Sequence, residues 1–159
     1  RYNHMFHITL LVIGKIKEDY FAEAINEYSK RLKPYAKLDV VELKAESFSE
    51  GTKEKAKKTE AERILYFLDK KPDAQVFILD ENGKNPTSKE FAQIMEKSES
   101  SHFIFVVGGS LGFAPEIIDK PYLKLSLSHM TFPHEVARVV LFEQIYRAMT
   151  IIKGKEYHY

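Results

Sequence analysis

The chain has 159 residues, with 24 basic and 23 acidic side chains and a net charge of +1. Its length and its 44% hydrophobic content predict one globular domain with a sizeable core, and they exclude a chain that is mostly disordered. Its apolar runs are too short to span a membrane, and the absence of cysteine excludes a disulfide scaffold, a thiolate metal site and a cysteine nucleophile.

The N-terminal sequence and the lack of cysteine predict a cytoplasmic protein. Met5 is the only plausible start, so residues 1–4 are interpreted as a cloning remnant or a short extension and residues 5–159 as a single domain. The apolar run at residues 6–13 is too short for a signal peptide, and no small-residue cleavage site follows it.

The first half of the chain alternates apolar runs with helical patterns. Residues 7–13 are a short β-rich run, and residues 20–32 carry one apolar stripe at helical spacing, which Pro34 ends. Residues 38–43 are the next predicted strand. Residues 53–68 predict a helix whose first half, rich in lysine and glutamate, is a solvated face rather than an arm that binds RNA.

The second half continues the alternation. Residues 74–79 and 102–107 are the strongest buried-strand patterns, and residues 88–97 predict an amphipathic helix with Ser88 as a candidate N-cap. Residues 124–128 form a short alternating strand. The whole pattern predicts an α/β fold, a mostly parallel sheet covered by helices on both faces. Ligands of such sheets lie beyond the carboxyl ends of the strands.

A glycine-rich segment, GGSLG at residues 108–112, directly follows the strand at 102–107. Pro115 then predicts the first turn of a helix. The spacing matches neither the dinucleotide GxGxxG motif nor a phosphate loop with GK[ST]. Glycines allow positive φ and the close approach of a ligand, so a plain tight turn and a ligand loop are both open.

A second segment of interest, HMTFPHE at residues 129–135, follows the last predicted strand. Pro133 is suited to begin a helix that continues to about residue 152. His134 would then lie in the first turn, where the positive end of the helix dipole favours a neutral imidazole. Two interpretations are open for His134: a functional group, or a polar residue exposed to water.

The final predicted helix is apolar on all sides. Twelve of the 17 residues at 136–152 are apolar, and they surround the helix instead of forming one stripe. Such a helix must be covered all round, so the sheet would cover one face and a second copy of the chain the other. Glu143 and Arg147 are spaced to pair with each other. An arginine near a buried interface can equally bind a phosphate or a carboxylate.

The C-terminal third is the more basic part of the chain. A nearly neutral protein must contact RNA through a local basic patch or one assembled by more than one copy. From Lys120 onward there are six Lys and Arg against three Glu, with three of the six histidines. The tail after Gly154 carries Tyr157, His158 and Tyr159, which could stack on a base or reach into a site.

These motifs together resemble one known family. GGSLG after a buried strand, LSLSHMTFPHEVARVVLFEQIYRA, a YH pair near the end and the opening ITLLVIGKIKEDYFAEAINEYSKRLKPY are similar to the ribosomal RNA large subunit methyltransferase H family of small SPOUT methyltransferases. The resemblance covers nearly the whole chain from Met5. It implies a C-terminal trefoil knot, a homodimer through the C-terminal helix, S-adenosylmethionine as methyl donor and no metal. The implied acceptor is N3 of a pseudouridine in helix 69 of 23S rRNA, and we expect the assembled ribosome as substrate.

The resemblance also implies which residues form the site. The donor-binding positions are Leu79, Gly108, Leu127, Ser128, His129, Met130, Thr131 and Phe132. The catalytic positions on the acceptor side are His134, Arg147, Tyr157 and His158, and Arg138 and Tyr159 are expected to contact RNA. Either His134 or His158 of a second copy could remove the N3 proton. Family members commonly end in a basic residue where this chain has Tyr159.

Three other functions compete with this interpretation. A knotted methyltransferase with another RNA target, such as tRNA, would use the same donor residues. A catalytically idle ribosome-binding module would show damage in the donor segment, yet Gly108 and residues 127–132 are intact. A flavodoxin-like nucleotide binder would share the alternating pattern, but it would not explain the all-round apolar final helix or the aromatic tail.

Overall fold

The structure, a computed structural model, describes residues 5–157. Predictions for residues 1–4, His158 and Tyr159 therefore lie outside the described residues. In chain order the elements are β1 Phe6–Ile13, α1 Asp19–Leu32, β2 Ala36–Leu43, a 3-10 turn Glu50–Thr52, α2 Lys53–Leu68, β3 Gln75–Lys84, α3 Ser88–Lys97, β4 His102–Val107, α4 Pro115–Ile118, β5 Leu123–Leu125 and α5 His134–Ile152.

The five strands form one parallel sheet in the order β2-β1-β4-β3-β5. The central strand β4 is buried along residues 103–107, as expected for a strand covered on both faces. Because all strands run in one direction, their carboxyl ends lie along one edge of the sheet. The predicted parallel α/β sheet with helices on both faces is confirmed.

Alternate residues of the strands pack under two separate helical layers. One core lies on the side of α1, α3 and α5, where Phe77 and Phe105 stack with ring centroids 4.7 Å apart. The other core lies on the side of α2 and α4, where Leu11, Ile64 and Ile104 belong to one buried cluster. The period of two along a strand produces this division, since neighbouring side chains point to opposite faces.

The structure differs from the sequence prediction at the ends of three elements. Thr87, not Ser88, is the N-cap of α3, because its hydroxyl accepts the Glu90 amide while the Glu90 carboxylate accepts the Thr87 amide. Strand β3 continues to Lys84 instead of ending at residue 79. Strand β5 ends at Leu125, three residues earlier than the alternating pattern predicts.

Helix α5 is half-covered within the single chain. Its fully buried apolar residues, Leu141, Phe142, Ile145, Ala148 and Met149, face the sheet, with α1 and α3 on either side. The remaining apolar positions, among them Val136, Val139 and Val140, are only partly buried. The second copy that would cover them stays a prediction. Within residues 5–157 no helix is long and apolar enough to cross a membrane.

Candidate functional site

A cleft of about 600 Å³ opens at the carboxyl edge of the sheet, beyond β3, β4 and β5. Three segments line most of it, residues 79–82, 107–113 and 125–132, and His134 and Ala137 of α5 complete it. The volume is that of a small-molecule site, and the position is where parallel sheets bind ligands.

The glycine loop after β4 forms one wall of the cleft. A Cβ on Gly108 would lie 3.1 Å from the Phe113 ring, and one on Gly109 would lie 3.1 Å from Cγ2 of Ile13. Gly112 has a φ of 75°, and its amide donates to the Gly109 carbonyl at 3.2 Å. The sequence left a tight turn and a ligand loop open. In the structure the segment is a tight turn that also exposes its backbone to the cleft.

The opposite wall is an excursion of β3 at residues 80–83. Leu125 pairs with both Leu79 and Lys84, so the four residues between them leave the ladder as an irregular bulge. The Asp80 carboxylate accepts the Asn82 amide at 3.0 Å, which turns the chain. A Cβ on Gly83 would lie 2.6 Å from the Lys124 backbone, so the excursion packs closely on β5.

The third segment, residues 126–133, starts from a buried serine. The Ser126 amide donates to the Lys84 carbonyl at 2.6 Å, and the Ser126 carbonyl accepts the Asn85 side-chain amide at 3.0 Å. The Ser128 hydroxyl then accepts the Met130 amide at 3.0 Å. These bonds hold the start of the segment against β3, while Met130, which is 75% exposed, lies at the mouth of the cleft.

Seven of the eight predicted donor-binding residues line this cleft. They are Leu79, Gly108, Leu127, Ser128, Met130, Thr131 and Phe132. His129 is exposed and is not among the lining residues. The sequence interpretation missed the carboxylates of Asp80 and Glu81, although the turn-forming run Asp80-Glu81-Asn82-Gly83 directly follows the predicted strand and was the signal for them.

His134 is the only histidine among the residues that line the cleft, and it is half-buried. Burial lowers the pKa of His134 below its usual 6.5, and the nearby positive charges of Arg138 and Lys17 lower this pKa further, whereas Glu135 raises it. The sequence argument invoked the helix dipole; in the structure burial comes first. The neutral imidazole is therefore favoured near pH 7, and this form can accept a proton.

Arg138 lies beneath the surface, one turn after His134. Its side chain is 2% exposed, and Nη2 donates to the Ile13 carbonyl at 2.7 Å and to the Gly14 carbonyl at 3.1 Å. This burial does not favour the direct RNA contact that the family resemblance implies, because within one chain its guanidinium has almost no exposed surface. That contact stays a prediction.

Arg147 and Tyr157 form a separate cluster at the other end of α5. Nε and Nη2 of Arg147 donate to Oε1 of Glu143 at 3.0 and 2.7 Å, and the Tyr157 hydroxyl donates to Oε2 of Glu143 at 3.1 Å. Cζ of Arg147 lies 4.8 Å from the centre of the Tyr157 ring. Arg147 follows His134 by 13 positions, which places it about 20 Å farther along the helix. Among the described residues, one chain therefore does not bring His134 together with Arg147 and Tyr157.

A second cavity, of about 700 Å³, lies at the amino edge of the sheet and is lined by residues 73–75 and 98–102. Serines and His102 dominate its wall, and the Ser98 and Ser100 hydroxyls already donate to Gln75 and to the His102 carbonyl. It contains none of the predicted site residues. The carboxyl-edge cleft is the candidate site because it combines glycine backbone, apolar walls and a histidine.

Comparison with known proteins agrees with the resemblance of the sequence motifs. The family described as Predicted SPOUT methyltransferase matches residues 6–158. The ribosomal RNA large subunit methyltransferase H of Carboxydothermus hydrogenoformans is 44% identical over 158 residues, 95% of this chain and 98% of the relative. The protein of the same name from Bacillus pumilus is 43% identical over 159 residues, 96% and 99% of the two chains.

Among solved structures, a probable methylase family protein from Haemophilus influenzae Rd KW20 is similar with a TM-score of 0.58. The match covers 96% of this chain and 70% of that chain at 13% identity, so it shows the fold alone. The sequence matches, which extend over nearly the full length at more than 40% identity, carry the assignment. The chain belongs to the ribosomal RNA large subunit methyltransferase H family of SPOUT methyltransferases.

Proposed function

We propose that this protein transfers a methyl group from S-adenosylmethionine to N3 of a pseudouridine in helix 69 of 23S rRNA. The observation that carries the proposal is the cleft, where seven of the eight donor positions implied by the family line one cavity beside His134. Family membership supports the reaction class. The relatives are named large-subunit rRNA methyltransferases, which supports rRNA as the acceptor.

The cleft fits the donor in size and chemistry. Leu79, Leu127 and Phe132 supply apolar walls, and the backbone of the glycine loop is open to polar groups of a ligand. The carboxylates of Asp80 and Glu81 favour a cationic ligand. When bound, S-adenosylmethionine supplies a methyl group carried by a sulfonium. Within residues 5–157 no cluster of three or more acidic or histidine side chains could hold a metal ion.

The main chemical task of the protein is to remove the N3 proton and to align the acceptor. The half-buried position of His134 at the cleft and its favoured neutral form support a role for it in this task. In the proposed step, the N3 proton moves to His134 or, through water, to solvent, and N3 would take the methyl group as its carbon–sulfur bond breaks and neutral S-adenosylhomocysteine leaves. His158 of a second copy is the alternative base. Arg147 would stabilise the imidate or hold a phosphate.

We propose a homodimer in which two α5 helices pack against each other. The partly buried Val136, Val139 and Val140 leave an apolar surface on this helix for a second copy. His134 and Tyr157 lie at opposite ends of α5, so antiparallel packing would place the tail of one subunit near the cleft of the other. Tyr157, His158 and Tyr159 would then face the acceptor, with Tyr159 stacked on a base.

We further propose that residues 5–159 act as one domain that contains the family's trefoil knot. Ser126 is bonded to Lys84 and Asn85 at the point where the chain leaves β5 beside the β3–α3 connection. From there the chain continues into α5, which packs against both α1 and α3. This close crossing supports a knot in which the chain end passes beneath the β3–α3 connection. Such knots are rare exceptions to the unknotted topology of proteins.

We expect the substrate to be an assembled ribosome in the cytoplasm. With a net charge of +1, one small domain contacts few phosphates and binds free RNA weakly. The packed ribosome surface would add contacts through its shape. Comparable methylation of a free helix 69 hairpin would contradict this expectation.

The test is methyl transfer from labelled S-adenosylmethionine to whole ribosomes that have or lack the pseudouridines of helix 69. We expect incorporation that depends on pseudouridine, mapped to one nucleotide of 23S rRNA. Incorporation into another RNA would keep the reaction class and reject the acceptor. Donor binding without incorporation into any RNA would contradict the proposed RNA methyltransferase activity. The absence of donor binding would favour an idle ribosome-binding module.

A further inference from the structure

The unusual feature of Arg138 is a buried charge without a carboxylate bonded to it. Its side chain is 2% exposed, its two hydrogen bonds end on the backbone carbonyls of Ile13 and Gly14, and Nε has no partner among the described residues. Removing a guanidinium from water is costly, and an apolar residue of similar volume would fill the space without that cost. Stability alone therefore does not explain an arginine at this position.

The contacts of Arg138 connect α5 with the end of β1, and through it with the glycine loop of the cleft. The Ile13 side chain, at the end of β1, packs against Gly109 closely enough that a Cβ there would lie 3.1 Å away. On the same turn of α5, the Glu135 carboxylate accepts the Lys17 amide at 2.5 Å. The first turn of α5 is thus attached twice to the segment that follows β1, and the glycine loop rests on the end of that strand.

Arg138 also lies four residues after His134, on the same face of the helix. The charged groups around His134 are Arg138 and Glu135 on α5, Lys17 after β1, and Asp80 and Glu81 on the opposite wall of the cleft. Arg138 itself interacts with Glu42 of β2 as well as with Glu135. Of the groups near His134, Arg138 is the buried cation and is therefore the least screened by solvent.

We propose that Arg138 is a positioning residue, which holds the first turn of α5 against the end of β1 and fixes a positive charge beside His134. The orientation of His134 then follows from the two carbonyl contacts, and the neighbouring guanidinium adds to the effect of burial in favouring the neutral imidazole. This inference rests on the proposed role of His134 as the proton acceptor. In this proposal Arg138 acts on the reaction through His134 and makes no direct contact with RNA.

The test compares three variants of the full-length protein. Arg138→Met removes the charge and both hydrogen bonds, Arg138→Lys keeps the charge, and Glu135→Gln removes the opposing negative charge. The primary measurement is the pKa of the His134 imidazole by NMR, assigned with His134→Gln. Donor affinity and the pH profile of methyl transfer to ribosomes are measured in parallel.

We expect Arg138→Met to raise the pKa of His134 and to move the acidic limb of the rate profile to higher pH by the same amount. Arg138→Lys should keep the pKa near the wild-type value, because the charge remains, and should lower the turnover number more than it raises the KM for ribosomes. Glu135→Gln should move the pKa in the opposite direction from Arg138→Met. If Arg138→Met does not fold, the pKa of His134 in Arg138→Lys and in Glu135→Gln decides the test.

An unchanged pKa of His134 in Arg138→Met would overturn the electrostatic part of the inference. An equal shift in Arg138→Lys and Arg138→Met would do the same. Failure of the proposed role of His134 as proton acceptor would look different: His134→Gln would then methylate ribosomes at the wild-type rate, while the NMR shift in Arg138→Met would still be present.

Discussion

Thr131 donates its hydroxyl to Oε2 of Glu81 at 2.6 Å, and this bond joins two loops that face each other across the cleft. Both residues are exposed, and both line the cavity. Ser126 bonds to Lys84 at the base of the two loops. The Thr131–Glu81 bond joins the loops a second time, at the mouth of the cleft.

We predict that Thr131→Val weakens the binding of S-adenosylmethionine. A single exposed hydrogen bond contributes about 0.5–1 kcal/mol, so the dissociation constant should rise about threefold, with most of the change in the dissociation rate. Glu81→Ala should weaken binding at least as much, because it also removes a negative charge from the cleft, and the double variant should bind no more weakly than Glu81→Ala alone. Calorimetry and stopped-flow binding measure both quantities.

The matched control is Glu62→Ala, since Glu62 is an exposed carboxylate on α2. It should leave donor binding unchanged. Additive losses in the Thr131→Val, Glu81→Ala double variant would show that the two side chains act independently, and the bond would then have no role in holding the donor.

Gly83 allows the excursion of β3 to pack against β5. A Cβ at this position would lie 2.6 Å from the backbone C and O atoms of Lys124. Because backbone cannot move aside as a side chain can, Gly83→Ala should lower the free energy of unfolding by about 1–3 kcal/mol. It should also weaken donor binding, since the excursion forms a wall of the cleft. Urea denaturation measures the first effect.

Gly51→Ala is the control for the loss of glycine itself. A Cβ on Gly51 would meet no atom within 4 Å, and its φ is not positive. Its free energy of unfolding should stay the same or rise by a few tenths of a kcal/mol, about the effect of a less flexible unfolded chain. Equal stability of the Gly83→Ala and Gly51→Ala proteins would contradict the close packing at Lys124.

Acid should destabilise the protein through His102 at the amino edge of the sheet. His7 and His102 are stacked with ring centroids 3.9 Å apart, and the His102 ring also bonds to the Thr9 hydroxyl at 2.9 Å. Burial lowers the pKa of His102 below 6.5, and the charges of His7 and Lys71 lower it further. The unfolded chain therefore takes up this proton at a higher pH, so the free energy of unfolding falls as the pH drops below 6.5.

We predict that His102→Gln reduces this loss of stability between pH 7.5 and 5.5. Some loss should remain, because the pKa of His134 is also lowered. A second loss belongs to Asp39, because its bond to His7 lowers the pKa of its carboxyl below 3.8. This loss begins as the pH falls towards 3.8 and is complete once the pH is below the lowered value. Urea denaturation at a series of pH values tests this. An identical pH dependence in wild type and His102→Gln would contradict the assignment.

The Tyr157 hydroxyl holds the start of the tail to α5 through its bond to Glu143. Tyr157→Phe removes only that bond and keeps the ring contacts with Arg147 and Tyr146, so the free energy of unfolding should fall by no more than about 1 kcal/mol. Tyr157→Ala removes the ring contacts as well. Methyl transfer to ribosomes should therefore fall in the order wild type, Phe, Ala.

Donor binding separates this effect from damage to the cleft. Tyr157 is at the far end of α5 from the cleft of its own chain, and in the proposed dimer it faces the acceptor and not the donor. Both variants should therefore bind S-adenosylmethionine with nearly wild-type affinity. If Tyr157→Ala methylates ribosomes at the wild-type rate, the tail has no part in the reaction. If it loses donor affinity in proportion to its activity, its effect acts through the fold.

The sequence alone determined the elements and most of the cleft. The strands 74–79 and 102–107 are recognisable because an apolar run between turn residues is a local signal, and α5 is recognisable because Pro133 and an unbroken apolar pattern are local as well. The cleft segments could be located because parallel strands end at one edge. The particular donor residues came from the family resemblance.

Only the tertiary structure decided how distant segments meet. The order β2-β1-β4-β3-β5, the double pairing of Leu125 and the burial of Arg138 against β1 depend on contacts between residues far apart in sequence. No local pattern encodes such contacts, since the same arginine on the same helix could equally face solvent. The separation of His134 from Tyr157 likewise follows from the length of a straight helix, and it is the reason that the proposed site calls for a second copy of the chain.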